Sequence, residues 1–369
     1  MSDGTSQESE DEMMDKKIKV GILGLGRAGM NMHFPEMSKY PDLYKIVAGA
    51  DPLYHRAEEL QKRCGAHPYH DIDEMLADPE VELLTVASRS GDHVKHALQG
   101  LSAGKYVLVE KPIAVSYAEA LQLADADKKY PGKLFFRHNR RFESGFTFIR
   151  ELIAAGSIGE VFEIKLRRLS FQLRNDWQVI SECDGGQMNN WGPHLIDQAL
   201  QLLESPVKDI WCDRKHVVAA GDMEDHFRIM LRSENGRLAD IQISGSCAID
   251  EPIFTVYGTR GTLVCKDDQE LSYRWVTPGQ EVKSPAASSD TPAILPGEPA
   301  AGTMNNPLAW RWGTIMVEPK DGVDTHHIWK HLYKSIREGA PFPIKTAEAL
   351  EVVRVTEEAK KQCAIRHYC

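Results

Sequence analysis

Short apolar runs alternate with amphipathic stretches from residue 18 to about residue 139. Runs that are apolar at nearly every position are typical of strands buried on both faces of a sheet. Strands that alternate with helices predict a parallel sheet with crossover helices. An α/β domain is therefore predicted over residues 18–140, with the strands IKVGIL, YKIVAGA, LLTVAS, YVLVE and KLFFRHN and with helices that include residues 52–63, 92–103 and 116–129.

Beyond residue 160 the strand-like runs follow one another without intervening helices, and the turn signals SENG (233–236) and GTRG (258–261) join some of them. This pattern predicts an open antiparallel sheet within an α+β domain that spans residues 141–369. Six prolines in residues 278–307 predict a long irregular loop, which we extend to residue 313. Two helical stretches, at 324–338 and 346–362, close the chain.

Composition and charge exclude several classes of protein. The 369-residue chain has a formal net charge of −10, which disfavours binding to nucleic acid. No apolar run approaches the roughly 18 residues needed to cross a membrane. Residues 1–17 are polar and mostly acidic, so we expect a disordered tail, no secretory signal and a cytoplasmic location. Seven scattered cysteines without a CxxC pair predict reduced thiols and no metal site.

A glycine-rich turn follows the first predicted strand. Residues 24–29 read GLGRAG, in which Gly24, Gly26 and Gly29 form a GxGxxG motif around Arg27 and Ala28. In a dinucleotide site the first glycine permits the tight turn, the second lets the pyrophosphate approach the backbone, and the third lets helix and strand pack closely. The helix that follows offers free N–H groups to the phosphates.

Asp51 ends the second predicted strand, 22 positions after Gly29. An acidic residue at this place accepts hydrogen bonds from the adenosine ribose hydroxyls. A 2′-phosphate would meet a carboxylate there, so the sequence predicts NAD rather than NADP as the cofactor. Arg56, one turn into the following helix, weakens that preference. The alternative is a helix-capping Asp51 beside a glycine turn that binds no ligand.

The stretch GGQMNNWGPHLID, residues 185–197, carries more polar side chains than a helix start requires. A helix is predicted from about Pro193, because proline suits a first turn and the apolar positions that follow are periodic. One polar residue is enough to cap a helix. The remaining residues, Asn189, Asn190, Trp191 and His194, are therefore candidates for a site.

Several stretches together resemble the Gfo/Idh/MocA family of NAD(P)-dependent oxidoreductases, which act mostly on sugars, inositols and related polyols. They are GLGRAG (24–29), ADP (50–52), AGKYVLVEKPIA (103–114), NRRF (139–142), GSIGEV (156–161) and the 185–197 stretch. The resemblance runs from about residue 17 to the C-terminus. It implies a Rossmann domain followed by an open antiparallel sheet that carries the substrate.

Lys111 and His194 are the predicted catalytic residues. Lys111 follows a predicted strand, where loops line the ligand crevice of a parallel sheet, and a lysine there can stabilise developing alkoxide charge. Histidine suits a general base because its pKa of roughly 6.5 is near the working pH. The resemblance places the family's lysine and base at these two positions. We also expect Ser88 and Glu110, at the ends of predicted strands, to belong to the dinucleotide site together with Lys111.

The sequence departs from the family pattern at Asn190, where many members carry aspartate. An amide donates and accepts hydrogen bonds but cannot supply the negative charge that polarises a nearby histidine. Asn190 therefore remains a predicted catalytic-site residue with an altered role.

Four further residues are predicted to contact substrate: Arg140, Asp176, Trp177 and Trp191. Packing in the core or a loop is the alternative for each tryptophan, because tryptophan buries a large apolar area. One of Arg140 and Arg141 is expected to pair with a carboxylate between the domains. Arg89 suits either an acidic substrate group or an interdomain salt bridge.

The leading hypothesis is an NAD-dependent dehydrogenase acting on a sugar or cyclic polyol. Glycoside hydrolysis by transient oxidation and a non-catalytic dinucleotide-binding role are the alternatives. We expect a homodimer or homotetramer joined through the second-domain sheet, because an open sheet exposes one face unless something covers it.

Overall fold

The first sheet is parallel throughout, as predicted. The computed structural model describes residues 16–282, 308–318 and 324–368. Its first sheet has the strand order β3-β2-β1-β4-β5-β6. The strands are β1 (Ile18–Leu23), β2 (Tyr44–Ala50), β3 (His67–Tyr69), β4 (Leu83–Val86), β5 (Tyr106–Val109) and β6 (Leu134–Phe136). The short edge strand β3 was not predicted, because its three residues, His-Pro-Tyr, do not form an apolar run.

Helices connect these strands, and their bounds lie within three residues of the predicted ones where a prediction was made. The first helix, α1, consists of a π-helical turn (Gly29–His33) and an α-helical turn (Phe34–Met37). The others are α2 (His55–Cys64), α3 (Ile72–Ala77), α4 (His93–Ser102) and α5 (Tyr117–Lys129). Capping residues set several ends: the Ser116 side chain accepts a hydrogen bond from Glu119 N, and Gly65, with φ of 77°, ends α2 in the left-handed region.

The second sheet has nine strands in the order β14-β13-β12-β11-β7-β10-β9-β8-β15. Most neighbours are antiparallel, but β7 pairs with β10 in parallel, and so does β8 with β15. The strands are β7 (Val161–Leu169), β8 (Val207–His216), β9 (His226–Ser233), β10 (Leu238–Ser244), β11 (Phe254–Gly258), β12 (Gly261–Cys265), β13 (Glu270–Val276), β14 (Trp310–Met316) and β15 (Arg366–His367). The sheet is thus mixed and mostly antiparallel.

Two outcomes concern the proline-rich region. The predicted loop ends at residue 313, but Trp310–Met316 forms the edge strand β14, which pairs with β13. Residues 283–307 of that predicted loop, like residues 1–15 of the predicted acidic tail, lie outside the described residues. Residues 310–316 therefore form a strand because they pair with β13.

One face of the second sheet is apolar and covered by helices. Along β9, Phe227, Ile229 and Leu231 are fully buried, whereas Arg228 between them is exposed. Burial of each such apolar side chain contributes about 1.5–3 kcal/mol. The helices that follow β6 in the chain are α6 (Ser144–Ala154), α7 (Gln187–Asn190), α8 (Gly192–Leu203), α9 (Ile328–Glu338) and α10 (Thr346–Gln362).

The last two helices return to the first domain. Ile328, Trp329 and Leu332 of α9 are fully buried in its core, where Tyr44 Oη donates a 2.6 Å hydrogen bond to the Trp329 carbonyl. Helix α10 belongs to both cores: Leu350 and Val353 pack in the first, whereas Val352, Val355 and Ala359 pack in the second. This helix therefore passes between the domains, next to α8.

Candidate active site

The glycine loop has the geometry that a dinucleotide requires. Gly24 has φ of 87°, and a Cβ there would lie 2.5 Å from the Ala87 carbonyl oxygen. A Cβ on Gly29 would lie 2.2 Å from the Gly24 oxygen, so both glycines are required by close packing. At Gly26 the nearest atom, Arg56 Nη1, is 3.9 Å away, and the space above this residue is open. The loop therefore fits a pyrophosphate over Gly26, with the exposed Arg27 beside it.

Asp51 is buried at the end of β2, and both of its carboxylate oxygens accept hydrogen bonds from the backbone. Oδ2 accepts from Leu25 N at 2.7 Å and Oδ1 from Leu53 N at 2.8 Å. Arg56 Nη1 lies 3.5 Å from Oδ2. Each carboxylate oxygen has a second lone pair, so Asp51 retains the capacity to accept from a ribose hydroxyl.

Glu110 is buried at the end of β5 and forms part of a network that the sequence did not indicate. Its Oε1 accepts hydrogen bonds from Arg137 Nη1 at 2.6 Å and from His33 Nε2 at 2.9 Å, and its Oε2 accepts from Lys111 N at 2.9 Å. Although burial alone raises the pKa of Glu110, the Arg137 guanidinium and His33 hold it well below its usual range. Glu110 is therefore an anion that supports the backbone of Lys111. Ser88, also at a strand end, shares a 2.9 Å hydrogen bond with His96 Nδ1.

Lys111 reaches from the first domain to the turn of the second. Its Nζ donates a 2.9 Å hydrogen bond to the Asn190 carbonyl oxygen, and the Lys111–Pro112 peptide is cis. Burial lowers the pKa of Lys111 to about 8. The Arg137 and Arg140 charges also lower this pKa, whereas the Glu110 carboxylate raises it. The predicted lysine and the predicted turn are thus in direct contact.

His194 lies in the first turn of α8, which begins at Gly192 with Pro193 near its start, so the predicted helix is confirmed. The ring is buried, packs edge-on against Trp191 at a centroid distance of 5.8 Å, and its Nδ1 has no hydrogen-bond partner among the described residues. Burial lowers the pKa of His194 well below its usual range, and the Lys111 and Arg140 charges lower it further. The imidazole is therefore neutral at neutral pH.

The two asparagines of the turn have different surroundings. Among the described residues, the Asn190 side-chain oxygen accepts one hydrogen bond, a long one of 3.5 Å from Gln178 Nε2. Asn189 is buried; its amide donates to the Asp184 carbonyl at 2.8 Å, and its oxygen accepts from Lys360 Nζ at 2.6 Å. Asn189 therefore organises the turn, while the Asn190 side chain is held only loosely. No local signal pointed to Lys360, which comes from α10.

Arg140 and Arg141 have separate partners. Arg141 donates to both Asp197 oxygens on α8, at 2.7 and 2.6 Å, and also pairs with Glu348. Arg140 stacks on the Trp191 ring, with its guanidinium carbon 4.3 Å from the ring centroid, and pairs with the buried Glu143. The stack places a cation and an aromatic face beside His194.

The other predicted substrate residues lie in the segment that precedes the turn. Asp176 is exposed, and its oxygens accept hydrogen bonds from Arg174 at 2.8 and 2.9 Å. Arg89 lies 5.6 Å from the Trp177 ring centroid and donates to Cys183 Sγ at 3.2 Å. No carboxylate in the described ranges pairs with Arg89, which contacts the second domain without a salt bridge.

The part of the chain that the structure describes offers neither a helix that could span a membrane nor a cluster that could bind a metal ion. None of its helices has both the length and the apolar character to cross a membrane. No group of three or more His, Cys, Asp or Glu side chains within it could hold a metal ion.

Comparisons with known proteins agree with this arrangement. The family model described as "Oxidoreductase family, NAD-binding Rossmann fold" matches residues 18–138, and the GFO/IDH/MocA C-terminal domain matches residues 146–264. The chain is an oxidoreductase of the Gfo/Idh/MocA family. The Rossmann domain that the resemblance implied is present, and it is followed by a second, mostly antiparallel sheet.

Relatives with named activities are distant. The chain is 27% identical to scyllo-inositol 2-dehydrogenase (NADP(+)) IolW of Bacillus subtilis, over 93% of this chain and 92% of that protein. It is 27% identical to myo-inositol 2-dehydrogenase of Thermotoga maritima, over 69% of this chain and 77% of that protein. The solved structure of a probable oxidoreductase, yhhX, superposes with a TM-score of 0.77 at 22% identity, covering 94% of this chain and 97% of that one. At this identity the structural match shows the fold alone.

Proposed function

We propose that this protein is an NAD-dependent dehydrogenase that acts on a secondary alcohol or ketone of a sugar, inositol or related polyol. The contact between Lys111 Nζ and the turn that carries Asn190 and His194 is the observation that carries this proposal. It brings a cationic donor and a neutral imidazole to the carboxyl ends of the parallel strands, where ligands of this fold bind. The inositol dehydrogenases among the relatives support the substrate class.

The cofactor would lie over the glycine loop. Gly24, Gly26 and Gly29 would hold its pyrophosphate, and Asp51 would accept from the adenosine ribose. The bound dinucleotide would supply the acceptor or donor of hydride. One relative is named as NADP-dependent, so the proposed preference for NAD rests on the buried Asp51 carboxylate alone.

The protein's own residues would handle the proton and the developing charge. His194, neutral at neutral pH, would accept the hydroxyl proton at Nε2. Lys111, with a pKa of about 8, is mostly protonated at neutral pH and would donate a hydrogen bond to the same oxygen. Asn190 would fix a neighbouring hydroxyl through its amide, and Trp191 with Arg140 would form one wall of the substrate pocket. Asp176 and Trp177 would contact the far end of the polyol.

A screen of polyols with NAD, and of ketoses with NADH, read at the NADH absorbance, tests the proposal. On the best substrate, His194→Ala should lower kcat by about 10²–10⁴, and Lys111→Ala should lower it as well. NADH binding by His194→Ala should remain intact, because the dinucleotide is held by the first domain. His367→Ala, an exposed histidine, is the control. Wild-type turnover by His194→Ala would overturn the assignment.

The same screen separates the alternatives. Glycoside hydrolysis by transient oxidation would release a sugar or aglycone without net NADH. A non-catalytic role would leave tight dinucleotide binding without turnover of any polyol. The loosely held Asn190 in place of a carboxylate is the feature that keeps the second alternative open.

A further inference from the structure

A lysine from the last helix contacts the substrate turn. Lys360 of α10 donates from Nζ to Asn189 Oδ1 at 2.6 Å. The Asn189 amide group in turn donates to the Asp184 carbonyl at 2.8 Å and to the Gly185 carbonyl at 3.4 Å. Helix α10, the Asn189 side chain and the segment leading into the turn are therefore joined by one chain of hydrogen bonds.

The helix that Lys360 holds is short and depends on outside support. Helix α7 has four residues, Gln187–Asn190, and so short a helix has little stability of its own. Lys111 holds its end through the Asn190 carbonyl at 2.9 Å. Glu224 holds its start, because Glu224 Oε1 accepts from Met188 N at 3.0 Å. Lys360 is the third support, and it acts on the residue next to Asn190.

The charge on Lys360 strengthens this contact. Among the described residues, no carboxylate lies within salt-bridge distance of the Lys360 ammonium group. Asn189 is its only hydrogen-bond partner among those residues. The charged groups that face it are Glu224, Arg214, Asp184 and Glu357. A hydrogen bond from an ionised donor is about twice as strong as a neutral one. It also polarises the Asn189 carboxamide, which strengthens the N–H bonds to the Asp184 and Gly185 carbonyls.

We propose that Lys360 is a positioning residue of the active site. It fixes α7 and residues 184–185, so that Asn190 and Lys111 are held where they contact the substrate. This role rests on the proposed function, because positioning matters only where that turn binds a substrate. Within the described residues, Lys360 forms no hydrogen bond with the glycine loop or with the Lys111 side chain. Its loss should therefore affect substrate turnover and leave dinucleotide affinity unchanged.

The experiment compares Lys360→Met with Lys361→Met, which removes an exposed lysine one position later that pairs with Glu357. Hydrogen–deuterium exchange of the full-length protein is measured on peptides that cover residues 184–191. Leaving the buried Asn189 oxygen without its donor costs about 1–3 kcal/mol, so exchange in this segment should rise roughly 5- to 150-fold in Lys360→Met. Exchange in Lys361→Met should match the wild type.

Kinetics give the second readout. With the best polyol, kcat/KM of Lys360→Met should fall roughly 10- to 100-fold, since small displacements of a binding group cost rate on this scale. The dissociation constant for NADH should be unchanged, and Lys360→Arg should restore most of the activity. If Lys360→Met exchanges faster throughout the chain, Lys360→Gln, which keeps a donor without the charge, is measured in its place.

Equal exchange and equal kcat/KM in Lys360→Met and Lys361→Met would overturn the proposal. So would a loss of NADH affinity that accounts for the whole loss of activity. Failure of the proposed function has a different signature: the wild type would turn over no polyol, while the exchange data would still report whether Lys360 holds the turn.

Discussion

Asp51 Oδ2 accepts a 2.7 Å hydrogen bond from the backbone N–H of Leu25, so the residue predicted to bind the ribose also braces the glycine loop. Leu53 N occupies the other carboxylate oxygen at 2.8 Å. A ribose hydroxyl must therefore share these oxygens, and a phosphate in the same place would meet a fixed negative charge. Arg56, 3.5 Å away, is the one cation that contacts this carboxylate within the described residues.

Arg56→Ala should weaken NADPH binding more than NADH binding. The guanidinium is the group placed to offset the charge of a 2′-phosphate, and a hydrogen bond to a charged group contributes about 1.5–3 kcal/mol, equivalent to roughly 10- to 100-fold in affinity. Fluorescence titration with both reduced cofactors measures the effect. Arg63→Ala, on the same helix and paired with Glu59, should change neither affinity. In the wild type NADH should bind more tightly; equal or tighter NADPH binding would contradict the role given to Asp51.

Asn190→Asp should move the acid limb of the kcat/KM profile to higher pH. His194 must be neutral to accept a proton, so oxidation declines as the pH falls through its pKa, which burial now holds well below the usual range. A carboxylate at position 190 favours the imidazolium and raises that pKa. Asn175→Asp adds the same charge at an exposed position and should leave the limb in place. An unmoved acid limb in Asn190→Asp would remove His194 as the titrating base.

Asp268→Asn should alter the pH dependence of stability. Burial raises the pKa of Asp268 to about 7, and Glu143 acts in the same direction. The folded state therefore holds this proton more tightly than the unfolded chain, whose aspartates titrate near 3.9. The associated stability is complete below about pH 4 and is lost as the pH rises to about 7.

Urea unfolding at pH 5 and pH 8 measures this effect. The free energy of unfolding of the wild type relative to Asp268→Asn should fall between these two values of pH. For Asp267→Asn the difference should be flat, because backbone hydrogen bonds lower the pKa of Asp267 and it stays ionised over the whole range. A flat difference for Asp268→Asn would mean that the carboxyl is ionised at pH 5.

The protein should form a homodimer or homotetramer through the face of the second sheet that no helix of the described residues covers. That face carries Trp211 and Trp312, 51% and 76% exposed, around an ion-pair network in which Asp240 binds Arg167 and Arg228. Trp211→Glu should lower the molar mass measured by light scattering at micromolar concentration. Leu121→Glu, at an exposed position on α5 of the first domain, should not. A monomeric wild type would contradict this prediction.

Local patterns predicted those parts of the fold and site that local interactions determine. The roles of Gly24 and Gly29 could be predicted because the tight turn that requires them is encoded within a few residues. Helix α8 could be predicted from Pro193 and from the periodic apolar residues that follow it. Contacts across long sequence separations gave no such signal. Arg137 beneath Glu110 and Lys360 beside Asn189 were found only in the structure, because nothing in their own neighbourhood marks them.

The sheet of the second domain shows the same limit. Consecutive strand-like runs predicted most of its strands, but such runs and their alternation are the same for parallel and antiparallel neighbours. The parallel pairing of β7 with β10 is set by the path of the chain between residues 169 and 238, which alternation does not encode. Likewise β14 became recognisable only through its partner β13.

The return of α9 and α10 to the first core bears on how the protein is made. The N-terminal domain leaves the ribosome first during synthesis, and many domains fold before the rest of the chain has been synthesised. Here the core of β1–β6 still lacks Trp329, Leu332 and Val353 when its own strands have emerged. The apolar surface that these side chains cover stays exposed until residue 353 has been synthesised. A nascent chain that stalls before residue 328 would therefore present this surface to chaperones and would remain sensitive to protease.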